Sequence, residues 1–468
     1  MLRLLGVKPL CVRGLSPLVA ALVLVSMLAP MLAPLPAFAQ TKRVFIRDAE
    51  IETIIRSFAV PLFAAAGLDP SSVSIRLVQD KTLNAFVAGG QNIFIHTGLI
   101  IDSEGPDALI GVIAHETGHI EGGHLSRTRS AVNDAGAIQL IGTLLGVVAG
   151  AAAGSPQLGQ AIIAGGQGAG QRTFMKYSRT QESAADQAAM RLLDATERSA
   201  NGLVGFLGQL SGQSALSTRL QDPYLQSHPL SSDRISALKH HVGVSENSKK
   251  GATEAETLAH ARIVAKLYGF IEPLKKVLRR YPESDTSFAA RYARAIAYYR
   301  EPDLTRAVGL IDALIHEAPR DPYLYELKGQ MLFEHAQAAD ALIAYTKAYQ
   351  LAPDQDLIAV ELARVELEMD DPALLDSAIE HFHTAVKLGG ASSFVWRQLG
   401  IAYGRKGDMG LSALALAEAE LRMGQLANAE YQANRAADLL PEGTSAHLQA
   451  QDILEAIKAV RQAQVGKK

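Results

Sequence analysis

The stretch from His115 to His124 reads HETGHIEGGH and contains residue types that bind metals and move protons. His115 and His119 are four residues apart, so on a helix they lie on one face, one turn from each other. That separation lets two imidazoles bind one tetrahedral zinc ion, and Glu116 between them is placed to take a proton from the attacking water. The pattern predicts a zinc site with its own general base.

A catalytic zinc ion usually has three protein ligands, and two residues could supply the third. His124 is one candidate, but the extended metzincin pattern needs its last histidine six residues beyond the second, where this chain has Leu125. The other is Glu182, in a separate predicted helix, with Asp186 one turn further on. We predict that Glu182 completes the site, with one zinc ion per chain, while Asp186 orients a ligand histidine. His124 is then a hydrogen-bonding structural residue.

Several short motifs accompany the histidines. They are HETGH at 115–119, ExxxD at 182–186, YSR at 177–179, NAF at 84–86 and GL at 98–99. Together they resemble the motifs of the CAAX-prenyl-protease/HtpX-type zinc metallopeptidases. The resemblance implies a minigluzincin-like protease domain that hydrolyses peptide bonds with zinc as its cofactor.

The resemblance also brings a later segment to the active site, His228-Pro229 followed by Arg234. Three interpretations of His228 are open. It stabilises the oxyanion; or, as a neutral imidazole, it occupies the open zinc position and keeps the enzyme inactive; or it is a loop histidine whose backbone is restricted by Pro229.

The elements that must position these residues can be read from the apolar spacing. It predicts a helix over Val44–Gly67, a strand over Val73–Val78 and a hairpin over Asn84–Ile95, turning at two glycines. The histidines lie on a helix that begins near Pro106 and ends at Gly122-Gly123, and Glu182 lies on a helix over 178–196. We therefore expect a mainly α fold with a small β-hairpin or sheet.

Residues 135–171 carry no charge and are rich in glycine and alanine. A membrane-associated hairpin is one interpretation. Glycines interrupt the segment below the roughly 20 apolar residues that a membrane span requires, which favours a buried or lid-like helical hairpin near the site. We expect at most peripheral contact with a membrane.

Length and charge limit what the chain can be. Its 468 residues suffice for two or three domains, and a net charge of −3 gives no reason to expect nucleic acid as a partner. A basic start, an apolar run over 15–32 and the cleavage signal AFA at 37–39 predict a signal peptide over residues 1–39. A retained N-terminal anchor is the alternative. The single cysteine, Cys11, would leave with the signal peptide, and export of a cysteine-free chain favours the periplasm.

The polar residues 245–256 lack apolar periodicity and are predicted to link two domains, a zinc metalloprotease domain over 40–250 and a repeat domain over 251–468. Beyond the linker, Pro282, Pro319 and Pro353 each close a helical stretch. WRQLGIAY at 396–403 matches the opening of a tetratricopeptide repeat, a helix pair of about 34 residues. We expect an α-solenoid, a fold whose concave face usually binds other proteins.

The order of signal peptide, protease domain and C-terminal repeats is similar to that of periplasmic members of the same family. By this resemblance the protein is a zinc endopeptidase that degrades misfolded or stalled outer-membrane proteins. Its repeats would dock unfolded or misassembled substrates or the outer-membrane β-barrel assembly machinery, with a chaperone-like activity in addition. The alternative is a non-proteolytic chaperone or adaptor that works through the repeats and has a structural zinc site. A decayed site should have lost one of its parts, whereas all are present, which favours the enzyme.

Overall fold

Strands and helices alternate at the start of the described chain, and helices alone follow. The computed structural model describes residues 44–125, 127, 178–211 and 223–465. The signal peptide predicted over 1–39, with Cys11, and the uncharged stretch over 135–171 lie outside these ranges. Across the described ranges, no helix is both long and apolar enough to reach from one side of a membrane to the other.

The sheet has four strands in the order β1-β2-β4-β3. The strands are β1 (Phe45–Ile46), β2 (Ser74–Val78), β3 (Ala85–Ala88) and β4 (Asn92–His96). β2 and β4 run parallel, while β1 with β2 and β3 with β4 are antiparallel. The predicted strand and hairpin are thereby confirmed. Gly89 and Gly90 form the hairpin turn with φ values of 61° and 99°, a conformation that favours glycine.

The register of the sheet separates an inner from an outer face. Ile75 pairs with Ile93 and Leu77 pairs with Ile95, so that apolar side chains share the face that packs on the helices. Alternate residues of a strand point to opposite faces, which is why this pattern covers one side only. β3 forms one edge of the sheet, beside the helix that carries the histidines.

The part of the chain described before residue 245 includes seven helices besides the helical residues 124, 125 and 127. They are α1 (Ala49–Ala65), α2 (Thr97–Asp102), α3 (Pro106–Glu121), α4 (178–195), α5 (Asn201–Ser211), α6 (Pro223–Ser227) and α7 (Ser232–Val244). The helix predicted from Val44 begins only at Ala49, because Asp48 caps it by accepting a hydrogen bond from the Ile51 amide at 2.8 Å. The two residues of β1 pair with β2 instead.

The remaining helices form the repeats. They are α8 (Glu254–Ile271), α9 (Leu274–Arg280), α10 (Phe288–Arg300), α11 (Leu304–Glu317), α12 (Pro322–Glu334), α13 (Ala338–Leu351), α14 (Asp356–Glu368), α15 (Leu375–Lys387), α16 (Ser393–Lys406), α17 (Met409–Arg422), α18 (Leu426–Leu439) and α19 (Ser445–Val465). Successive helices pack against each other, and the three prolines follow the ends of α9, α11 and α13. The predicted fold class, a mainly helical protease domain with a small sheet followed by tetratricopeptide-type helix pairs, is confirmed.

The first repeat helix also belongs to the core of the protease segment. Ile263, Val264 and Leu267 of α8 are buried in the same hydrophobic cluster as Leu109 of α3 and Phe58 of α1. Residues on both sides of the boundary predicted at 250 thus share one core. Within the predicted linker, residues 246–249 form a 3₁₀ turn.

A buried charge cluster makes a second connection between α1 and the repeats. Glu50 is fully buried and accepts a hydrogen bond from the Tyr292 hydroxyl at 2.7 Å, with Lys266 Nζ 3.0 Å away and Arg262 in ion-pair contact. Burial raises the pKa of Glu50, but the two cations outweigh that effect and lower it. Buried charges are tolerated only when paired in this way, so α1 is tied to α8 and α10 in a defined position.

Candidate metal centre

His115 and His119 lie on α3, whose other side is buried in the core. Their Nε2 atoms face each other at 3.1 Å. His115 is fully buried, and the side chain of His119 is 12% exposed. The helical spacing thus brings both imidazoles to one point, as the sequence indicates.

Glu182 reaches the same point from α4, because α3 and α4 approach each other closely. A Cβ atom at Gly118 would lie 2.8 Å from the Ala185 carbonyl oxygen and 3.0 Å from the Ala188 Cβ, so the contact requires a glycine on one helix and alanines on the other. Glu182 Oε2 lies 3.4 Å from His115 Nε2, and Glu182 Oε1 lies 3.4 Å from His119 Nε2.

A fourth group arrives from the segment after α6. His228 Nδ1 lies 3.4 Å from His115 Nε2 and 3.2 Å from Glu182 Oε2. The other ring nitrogen, Nε2, donates to the Ala85 carbonyl of β3 at 3.2 Å. The Tyr224 ring stacks on His228 at a centroid distance of 4.6 Å. In the tautomer that donates from Nε2, the Nδ1 lone pair is directed at the other three groups.

These four groups fit a zinc ion. One ligand atom from each of them lies within 4.8 Å of the others. A tetrahedral ion about 2.0–2.2 Å from each ligand places neighbouring ligand atoms roughly 3.3–3.6 Å apart, and the distances of 3.1–3.4 Å given above are close to that range. Imidazole and carboxylate are also the ligands that zinc prefers.

Asp186 orients His115 from behind. Its Oδ1 lies 2.9 Å from His115 Nδ1, on the opposite side of the ring from the site. Asp186 is in turn held by Arg234, which donates from Nε at 2.6 Å and from Nη2 at 2.9 Å. Arg234 Nη1 lies 2.9 Å from Glu182 and donates to the Pro229 carbonyl at 2.9 Å. One buried guanidinium therefore links α4 to the segment that carries His228.

The charges of the site favour a cation. Burial lowers the pKa of His115, but the hydrogen bonds to Asp186 and Glu182 outweigh it and raise that pKa to about 10. Burial raises the pKa of Glu182, yet the neighbouring histidines bring it well below its usual range. Glu182 thus stays ionised in a buried place, and its negative charge attracts a cation to the point between the rings.

Glu116 lies beside the four groups and is fully buried. Neither carboxylate oxygen has a hydrogen-bond partner among the described residues, and His228 Nε2 is 3.4 Å from Oε1. A buried carboxylate without partners is costly, so these oxygens are available to a water molecule or a substrate. A cavity of about 200 Å³ opens here and is bordered by Glu116, His119 and the β3 residues Phe86 and Val87.

The sequence assigned no role to Arg234 and gave His124 only that of a hydrogen-bonding structural residue, and the structure places both side chains next to the site. Arg234 drew attention only because it follows His228-Pro229, and its two carboxylate partners lie 48 and 52 positions away. His124 Nδ1 lies 2.9 Å from His119 Nδ1, outside the four-group cluster. Helical spacing predicts neither the contacts of Arg234 nor that of His124 with His119, because the first depend on packing between separate helices and the second on a turn.

A buried HExxH helix, a carboxylate from a second helix and a charge pattern that suits a cation define a metallopeptidase. Residues 46–242 match peptidase family M48.

The chain is also similar to curated proteins named beta-barrel assembly-enhancing protease. The one from Yersinia pestis is 22% identical over 342 residues, which cover 72% of this chain and 69% of the relative. The one from Escherichia coli strain K12 is 22% identical over 408 residues, with 83% of each chain covered. Among solved structures, YrrB, described as a TPR protein with an unusual peptide-binding site, covers 38% of this chain and 92% of its own at 17% identity and a TM-score of 0.31.

Proposed function

We propose that the protein is a periplasmic zinc endopeptidase that degrades misfolded or stalled outer-membrane proteins. The observation that carries the catalytic part is the close grouping of ligand atoms from His115, His119, Glu182 and His228, with the carboxylate of Glu116, unpartnered among the described residues, beside them. The name shared by the relatives supports the substrate class. The signal peptide predicted over residues 1–39 supports the periplasm, and N-terminal sequencing of the mature protein should then begin at Gln40.

His115, His119 and Glu182 would hold one zinc ion per chain. Bound there, zinc supplies Lewis acidity, which polarises a carbonyl group and lowers the pKa of water to about 7. Asp186 keeps the His115 ring in the tautomer whose Nε2 lone pair faces the site, because its carboxylate accepts the proton on Nδ1.

Glu116 acts as the general base. It takes a proton from the attacking water and passes it to the leaving amine, so that one carboxylate serves both halves of the reaction. Its burial and its lack of hydrogen-bond partners in the described residues leave both oxygens free for these transfers.

His228 keeps the site closed at rest. Its Nδ1, 3.4 Å from His115 Nε2 and 3.2 Å from Glu182 Oε2, would supply the fourth ligand, and its Nε2 donates to the Ala85 carbonyl. An arriving substrate must displace it. When the ring leaves, the Ala85 carbonyl loses its donor and can accept a backbone N–H of an extended substrate added to the edge strand β3.

The repeats serve as the docking part, for unfolded substrates or for the β-barrel assembly machinery, with at most peripheral membrane contact and no role for nucleic acid. Concave solenoid surfaces commonly bind extended protein segments. Binding of an unfolded and of a folded outer-membrane protein to full-length Glu116→Gln, which should bind without cleaving, tests whether misfolding is what the protein recognises. Equal binding of both forms would contradict the proposal.

The decisive experiment compares wild type with Glu116→Gln in metal analysis and in digestion of casein and of an unfolded outer-membrane protein. The variant should keep one zinc ion per chain and lose about 10²–10⁴ in rate, the usual contribution of a positioned base. Glu121→Gln is the matched control, because Glu121 lies on the same helix and pairs with Arg191 at the surface. Digestion by Glu116→Gln at the wild-type rate would eliminate Glu116 as the base. Absence of digestion by the zinc-loaded wild type, with substrate binding intact, would favour the adaptor.

A further inference from the structure

His119 directs one ring nitrogen at the metal centre and the other at a second histidine. Its Nε2 lies 3.1 Å from His115 Nε2, and its Nδ1 lies 2.9 Å from His124 Nδ1. A histidine that binds a metal through one nitrogen keeps its proton on the other, and the partner of that second nitrogen sets the tautomer and the orientation of the ring. Carboxylates, backbone carbonyls and waters usually have this role.

We propose that His124 is the positioning residue for His119. It accepts the Nδ1–H of His119 on its own Nδ1 and carries its own proton on Nε2. This fixes the His119 tautomer whose Nε2 lone pair faces the site. The inference rests on the zinc site proposed above and adds a residue that does not touch the metal.

The turn after α3 is built to bring His124 back onto the helix end. Gly123 has a φ of 60°, in the left-handed region that favours glycine, and reverses the chain. Gly122 has an ordinary φ of −70°, but a Cβ atom there would lie 2.4 Å from His124 Nε2 and 2.8 Å from its Cδ2. The imidazole of His124 thus occupies the space of a missing side chain at Gly122.

Other contacts hold His124 in this place. Its ring meets the His119 ring edge-on, with centroids 4.9 Å apart and an interplanar angle of 79°. Its backbone carbonyl accepts a hydrogen bond from Gln181 Nε2 at 3.1 Å, and Gln181 precedes Glu182 on α4. His124 itself is only 5% exposed. The ring is therefore fixed relative to both helices that supply the site.

The two ligand histidines are held by partners of different charge. Asp186 supplies a carboxylate to His115, whereas His124 supplies a ring nitrogen to His119. A direct ligand role for His124 does not fit this geometry, because its Nδ1 meets the outward nitrogen of His119 and it is not one of the four clustered groups.

Zinc affinity of the full-length protein, measured by competition with a chelator, tests the proposal. His124→Leu should weaken zinc binding about 10–100-fold, the usual effect of removing such a partner. His124→Asn should keep most of the affinity, since its amide oxygen can stand near the position of Nδ1 and accept the same proton. Gly122→Ala should match His124→Leu, because the added methyl displaces the His124 ring without straining the backbone.

The thermal stability of the zinc-free variants separates positioning from a purely structural role. If His124 positions His119, His124→Asn should bind zinc more tightly than His124→Leu, regardless of the thermal stability of the two zinc-free variants. The proposal would be overturned if His124→Leu and His124→Asn lost zinc affinity equally and in proportion to their loss of thermal stability. It would also be overturned if both His124→Leu and Gly122→Ala bound zinc with wild-type affinity. Zinc binding by wild type and by Glu182→Ala distinguishes a failure of the proposed zinc site from a failure of the role proposed for His124. If wild type binds zinc and Glu182→Ala does not, the metal site stands and any failure belongs to His124 alone. If wild type binds no zinc, the metal site itself is wrong.

Discussion

Arg234 donates two hydrogen bonds to the carboxylate of Asp186, 2.6 Å long from Nε and 2.9 Å long from Nη2. Its third nitrogen, Nη1, lies 2.9 Å from Glu182. Burial raises the pKa of Asp186, but the bonds from Arg234 and His115 lower it below its usual value. The same guanidinium donates to the Pro229 carbonyl, next to His228. One side chain thus contacts Glu182, Asp186 and the segment that carries His228.

Removing Arg234 should destabilise the protein strongly. Arg234→Ala leaves two buried carboxylates without their cation, which typically costs about 3–5 kcal/mol in free energy of unfolding. Urea unfolding of the zinc-free protein measures this. Arg191→Ala is the control, because Arg191 makes an equally short pair with Glu121 at the surface and should cost no more than about 1 kcal/mol. Similar losses in the two variants would show that Arg234 is an ordinary ion pair.

Glu182 should decide whether zinc is bound. Glu182→Ala removes the proposed third ligand and should lose most of the metal. Asp186→Asn removes no ligand but takes the charged partner from His115 and Arg234, and it should weaken affinity about 10–100-fold. Metal analysis after dialysis against a graded series of free zinc concentrations distinguishes the two. A full zinc ion in Glu182→Ala at low free zinc would mean that another residue is the third ligand.

Replacement of His228 should open the site. His228→Ala removes the group that we propose closes the fourth ligand position, so cleavage of a generic substrate should rise while zinc stays bound. His240→Ala, at an exposed position of α7, should leave the rate unchanged. A loss of about 10²–10³ in rate, with no gain under any condition, would instead assign His228 to oxyanion stabilisation.

The first repeat helix should support the protease core. Ile263 of α8 is fully buried in that core, so Ile263→Ala should cost about 2–5 kcal/mol in free energy of unfolding and lower the midpoint at which zinc is released on denaturation. Ile343→Ala is the control, because that side chain is 70% exposed. If Ile263→Ala unfolds the repeats while zinc release keeps its wild-type midpoint, the two segments fold independently.

His260 should make stability depend on pH. Its Nε2 bonds to the Ser103 hydroxyl at 2.8 Å, and burial lowers its pKa from 6.5 to about 4. Between pH 6.5 and about pH 4, His260 binds a proton in the unfolded chain but not in the folded protein, and this favours unfolding. The folded protein is therefore most stable, as far as His260 is concerned, above pH 6.5, and it loses stability as the pH is lowered. The loss is at most about 3 kcal/mol. Denaturant unfolding at a series of pH values should show a shallower dependence in His260→Gln; an unchanged slope would eliminate His260 as the cause.

Local spacing was sufficient for the parts of this protein that lie within one turn or one hairpin. The pair His115 and His119, the hairpin around Gly89-Gly90 and the helix that carries Glu182 and Asp186 could all be predicted, because helical and strand periods determine which residues become neighbours. The repeats could be predicted for the same reason, since each helix pair recurs at a regular interval.

Only the tertiary structure decided how separate segments meet. His228 lies 113 residues from His115 in the chain, and its placement beside His115 depends on contacts with the Ala85 carbonyl and with Tyr224, and on the hydrogen bond from Arg234 to the Pro229 carbonyl. No periodicity encodes such contacts, because they arise when packed helices and a strand edge bring distant residues together. The burial of α8 in the protease core has the same origin: an apolar helix face is visible in the sequence, but the partner that covers it is selected by the fold.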